Sequence, residues 1–149
     1  MKRALPAILI VAAALTVGAA SPPGAGAARE RHEHFETIGR AFKGINDQLK
    51  RRPVNLVAVR NTTAVLATLA SRVKTWFPAG SGPQDGVKTQ ALPGAWTDRA
   101  ELDRQADRFA AAAGTLAATA ERGDVAEIQA AVRATGETCK SCHDRFRKR

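Results

Sequence analysis

The chain has 149 residues, room for one domain and too few for a large multidomain enzyme. Lys and Arg number 23 against 14 Asp and Glu, a formal charge of +9, while aromatics make up only 5% and Tyr is absent. The core must therefore be aliphatic, and the abundance of alanine and other helix formers between two Gly- and Pro-rich stretches predicts an all-α protein.

Lys2 and Arg3 precede an apolar run from Ala4 to Ala20, which Ser21, Pro22, Pro23 and Gly24 then break. This is the pattern of a secretory signal peptide. A membrane anchor fits less well, because the run contains Pro6, is at or below the roughly 20 residues of a span and lacks a following positive flank. Ala25-Gly26-Ala27 matches an A-x-A cleavage site, giving residues 1–27 as leader and 28–149 as the mature domain; a cut after Ala20 also fits. Either cut leaves 21 basic and 14 acidic residues and removes Met1, the chain's single methionine.

From Arg29 to Lys50 the residues Phe35, Ile38, Phe42, Ile45 and Leu49 recur at helical spacing. The pattern restarts with Leu56, Val59, Thr63, Leu66, Ala70, Val73 and Phe77 and stops at Pro78. Residues 78–97 hold three Pro and four Gly, which predicts a long ordered crossover loop between helices two and three. Asp98 with Glu101 marks the start of a third helix, with Leu102, Ala106, Phe109, Ala113, Leu116 and Ala120 on its inner face and Gly123 as its C-cap. Asp124 with Glu127 repeats the start signal, and Val125, Ile128, Val132, Thr135, Cys139, Cys142 and Phe146 form the last stripe. Four amphipathic helices of this length predict an antiparallel four-helix bundle.

The sharpest motif is Cys139-Lys140-Ser141-Cys142-His143, the C-x-x-C-H pattern of c-type haem attachment. On a helix both thiols and the imidazole converge on one face. The thiols can add to the two porphyrin vinyl groups while the imidazole binds iron from one side. A disulfide would close only a tiny loop and stabilise little. A thioredoxin-like pair wants a βαβ context and a helix N-terminus, neither of which is present here. Zinc needs about four ligands, and the other candidates, His32 and His34, lie far away in sequence. Asn61-Thr62-Thr63 falls mid-helix, and Ala79-Gly80-Ser81-Gly82 lacks the ending of a phosphate loop.

With this motif on its last helix, the chain resembles the class II c-type cytochromes, the cytochrome c′ and cytochrome c-556 family. The stretch Trp76-Phe77-Pro78-Ala79-Gly80-Ser81-Gly82 and the segment from Arg31 to Gly39 are also similar to that family. The resemblance implies one covalent haem c inside the bundle, a periplasmic location and a homodimer formed largely by the first two helices. It assigns the thioethers to Cys139 and Cys142 and the proximal iron ligand to His143. It further places Arg147 beside that histidine and puts Arg31 among the residues at the cofactor.

Low-spin family members carry a sixth-ligand methionine four residues after an arginine of the first helix. Counting from Arg31, that position holds Phe35, and the mature chain has no methionine. The implied iron is five-coordinate with Phe35 lining an apolar distal pocket; the competing expectation is bis-histidine ligation through His32 or His34. Gly39, Gly44 and Gly136 lie inside helical patterns and either clear space for the macrocycle or allow close packing. The expected function is one-electron transfer, with nitric oxide or carbon monoxide binding as the alternative and a haem-free thiol or zinc protein as a third reading. No proton-transfer or nucleophilic constellation predicts an enzyme. Export argues against nucleic acid, so the positive charge is expected to steer docking to an acidic redox partner or an anionic membrane surface.

Overall fold

The computed structural model describes residues 22–149, so most of the expected leader, residues 1–21, lies outside the described residues. Five helices are present among them: α1 (Ala25–Lys50), α2 (Leu56–Ala70), the single turn α3 (Gly94–Thr97), α4 (Arg99–Arg122) and α5 (Val125–Phe146). The four long ones form the expected antiparallel bundle. The Ala25-Gly26-Ala27 triplet forms the first turn of α1. Among the described residues no helix is long and apolar enough to cross a membrane.

Local chemistry sets the boundaries. Asn55 caps α2 by accepting from the Ala58 N–H at 3.0 Å. Asp98 accepts from the Glu101 N–H at the start of α4, but Glu101 turns its own carboxylate to Arg104 and Gln105 instead of closing a reciprocal box. Gly123 ends α4 at φ +83°, a left-handed conformation that glycine adopts without a Cβ penalty. One residue later Asp124 opens α5, its Oδ1 accepting from the N–H groups of Ala126 and Glu127 at 2.8 and 2.9 Å.

The second helix stops earlier than its spacing predicts. α2 ends at Ala70, Ser71 Oγ bonds back to the Thr68 carbonyl, and the chain tightens into a 3-10 turn over Val73–Trp76. Three residues per turn bring Val73 and Trp76 onto one side, and both are buried with Phe77. The crossover that follows is ordered, with a 3-10 turn at Pro83–Asp85 and then α3. Its far end is tied to the chain's C-terminus: Leu92 N–H donates to the Phe146 carbonyl, Lys148 N–H donates to the Gln90 carbonyl, and Ala91 pairs with Arg147.

The core is aliphatic as composition requires, with Ile45, Val59, Leu66, Leu102, Leu116 and Ile128 fully enclosed. α1 packs chiefly on α2, and α4 packs on α2 and α5, while α1 and α5 meet only sparsely. On α1 the buried stripe runs Ala28, Arg31, Ile38, Ala41, Ile45 and Leu49. Phe35 and Phe42, expected in that stripe, are instead half-buried on its flank.

Because Asp124 satisfies two otherwise orphaned amides of α5, Asp124→Ala should destabilise the protein by about 1 kcal/mol in equilibrium urea unfolding, with an unchanged m-value.

Candidate haem-attachment site

The site lies on the second half of α5. Cys139, Cys142 and His143 follow one another at i, i+3 and i+4, so one face of the helix carries all three side chains. Both cysteines are free thiols. The stripe of Ile128, Val132, Thr135 and Phe146 is buried, but the two cysteines between Thr135 and Phe146 on the same face are only half-buried against the core. Both therefore lie on the core stripe as expected, but at its less covered end, on a helix that α1 meets only sparsely.

Burial governs the electrostatics. It raises the Cys139 thiol above its ordinary value and pushes Cys142 up to about 11, with the neighbouring Cys139 adding to the latter. Both thiols are therefore protonated at neutral pH. His143, at the exposed rim, is held below its ordinary value first by desolvation and then by the charge of Arg147, against a smaller opposing pull from Asp144. The neutral imidazole that results is the form that ligates a metal.

Arg147 reaches this position by an unexpected path. α5 ends at Phe146, and Arg147 is extended at φ −120° and ψ 139° where a continuing helical face had been expected. Pairing with Ala91 draws its backbone away, while its N–H still donates to the His143 carbonyl at 3.1 Å.

The register between α1 and α5 defines what faces the motif. A Cβ on Gly136 would come within 3.5 Å of the Phe42 ring. Asn46, Leu49 and Lys50 share a cleft of about 170 Å³ with Gln129, Val132 and Arg133. Antiparallel helices of equal rise that match at these two places set Gly39 level with Cys139, and Phe35 level with His143. A Cβ on Gly39 would meet nothing within 4 Å.

The wall beside Phe35 is aromatic. Its ring meets Trp76 edge-on at 5.2 Å and Phe77 at 6.2 Å. His34 lies flat on Trp76, centroids 4.6 Å apart, and His32 is exposed. Trp76 is itself buried, yet its indole N–H has no partner among the described residues. Arg31 does not stand free near the motif: its guanidinium is buried and bonded to Trp76, Ser81 and Thr89 of the crossover. The periodic reading of the sequence passed over this cluster, although Arg31, Ile38 and Ile45 are spaced by seven and so share a core position.

These residues fit a covalently held macrocycle. Two reduced, half-buried thiols and a neutral imidazole share one helix face, the facing helix offers a glycine and a phenylalanine, and a buried indole N–H remains unpaired. Zinc has no comparable set: among the described residues no three His, Cys, Asp or Glu side chains gather at one point.

Comparison with known proteins agrees. The family model described as Cytochrome C′ matches residues 26–147. A cytochrome c′ of Rubrivivax gelatinosus is 38% identical over 116 residues, covering 78% of this chain and 84% of that protein. The crystal structure of cytochrome c′ from Rubrivivax gelatinosus superposes with a TM-score of 0.76 at 34% identity, over 85% of this chain and 98% of the other. A nitric oxide complex of a variant cytochrome c prime from Alcaligenes xylosoxidans gives a TM-score of 0.74 at 26% identity, over 83% of this chain and 94% of the other.

Replacing both Cys139 and Cys142 by Ser should abolish covalent attachment, so that acidified acetone extracts all haem from the double variant and none from the parent. Each single variant should keep its haem through the remaining thioether, as read from the intact mass.

Proposed function

This chain belongs to the cytochrome c′ family, whose members bind haem c covalently, and we propose that it acts as an exported one-electron carrier with a five-coordinate iron. Cys139 and Cys142 hold the macrocycle and His143 supplies the proximal nitrogen. When bound, the haem supplies a reversible one-electron iron couple whose potential is set by axial ligation and burial. The observation that carries the five-coordinate reading is compositional: once Met1 is removed with the leader, no methionine remains, and Phe35 occupies the level of His143. Phe35 offers no donor or acceptor, so a water brought against it would lose hydrogen bonds. His34 is engaged with the Trp76 ring, and His32 faces solvent.

The second reading, binding of nitric oxide or carbon monoxide, is favoured by the same wall. An uncharged diatomic needs no hydrogen-bond partner there, and the relative from Alcaligenes xylosoxidans is known as a nitric oxide complex. The two readings are compatible, since one apolar distal side serves both.

Location and partners follow from the surface and the leader. A cleaved leader would deliver the protein to the periplasm. Arg147 and Arg149 stand exposed near His143 and Asp144, while Arg145 pairs with Asp98 and Lys148 reaches the Thr89 carbonyl, a net positive rim suited to an acidic redox partner. Val57 and Val65, 64% and 50% exposed, lie two turns apart on the outer face of α2, where a second copy would cover them.

The absorption spectrum of the matured protein tests the central claim. A high-spin ferrous spectrum that changes on adding carbon monoxide or nitric oxide is expected. Sharp low-spin bands without response would sink it and bring His32 or His34 back as the sixth ligand. For the dimer, Val57→Glu with Val65→Glu should shift sedimentation from dimer to monomer while leaving the ferrous spectrum unchanged.

A further inference from the structure

Arg31 is 3% exposed, although a guanidinium is costly to bury. Its four hydrogen bonds all go to neutral oxygens: the Trp76 carbonyl, Ser81 Oγ and the Ser81 carbonyl at 3.0 Å, and Thr89 Oγ1 at 3.1 Å. The charge also lies 5.0 Å from the centroids of both Phe77 and Trp96, within reach of their π faces. Among the described residues no carboxylate side chain is within hydrogen-bond reach of it.

The acceptors are spread along the crossover. Trp76 ends the first 3-10 turn, Ser81 follows the bend at Pro78, and Thr89 precedes the stretch that joins the C-terminus. Thr89 Oγ1 also accepts from the Ala91 N–H at 3.2 Å, so the same oxygen links Arg31 to that join. One residue of α1 thus fixes three points of a segment far from it in sequence. Phe35 stands one turn further along α1, with its ring against Trp76 and Phe77.

We propose that Arg31 is a positioning residue for Phe35: by holding the Trp76 carbonyl and the Ser81 turn against α1, it fixes the aromatic wall that confines the Phe35 ring on the distal side. Loss of the clamp leaves the thioethers and His143 intact but frees Trp76 and Phe77 to move. Phe35 then acquires alternative rotamers and obstructs an incoming diatomic less. The inference rests on the five-coordinate reading above.

The test uses the haem-loaded mature protein and Arg31→Lys, which keeps the charge but cannot reach all four oxygens from one ammonium. Amides of Ser81, Val87 and Ala91 should exchange about tenfold faster, as expected for the loss of a charge-assisted bond. Carbon monoxide should bind the reduced protein severalfold faster. Adding Arg31→Lys to Phe35→Ala should give no further acceleration, because the clamp acts through the ring that is already gone. If Arg31→Lys does not fold, Thr89→Val serves in its place with the same readouts. Faster exchange with carbon monoxide association at the parental rate would overturn the inference and leave Arg31 a purely structural clamp. Full additivity with Phe35→Ala would overturn it as well. A parent protein that binds no carbon monoxide would overturn the five-coordinate reading and this inference together.

Discussion

The site depends on how sparsely α1 and α5 meet in a bundle whose other neighbouring long helices pack closely. Elsewhere the helices close in the usual way, with α1 on α2 and α4 against both α2 and α5. Along this one edge small and half-exposed residues replace interlocking aliphatics: Gly39 and Phe35 on α1, Gly136 and the two thiols on α5. Native interiors are close-packed and their polar groups paired, so half-covered thiols and an unpaired buried indole N–H carry a stability cost that a bound group would offset by covering them. Covalent attachment would make that cover permanent.

Much of this was legible in the sequence, for reasons that differ by element. α4 and α5 could be bounded closely because Asp98, Gly123 and Asp124 act on amides and carbonyls within four residues of themselves. The haem motif was legible because its three side chains share one helix and need no tertiary contact to converge. The end of α2 was not, since the apolar spacing from Ala70 through Val73 to Phe77 suits an α-helix and a tightened turn alike. The chain tightens at Ser71, whose hydroxyl bonds back to the Thr68 carbonyl, but Thr62 and Thr68 make similar bonds inside α2, so no single residue marks the end in sequence.

The distal wall was the hardest part to read. A hydropathy pattern places Phe35 inside and has no place for a buried arginine, yet Arg31 is the more enclosed of the two and Phe35 only half-buried. The acceptors that make burial of Arg31 tolerable lie 45 to 58 residues away, in a loop whose composition announces only turns. No local pattern links the two ends of such a contact. Phe35, one turn further along α1, lies half-buried against Trp76 and Phe77 of the same crossover, and Phe42 approaches Gly136 of α5.

Electron transfer and gas binding place similar demands on that flank. A carrier is efficient when little rearranges between its two oxidation states, and a site without a sixth ligand has none to lose or gain. On the proposed reading the ring of Phe35 would act in two ways: its bulk slows every ligand, and its lack of polar atoms makes water and anions give up solvation without recompense while an uncharged diatomic loses little. The opposite face of the iron would be reached through His143, which desolvation and Arg147 together hold neutral. On that reading one side of the site would be tuned by charge and the other by the absence of polar groups. The crossover that carries Trp76 and Phe77 also meets the C-terminal residues through the isolated Ala91–Arg147 bridge, so the two sides are mechanically joined through it.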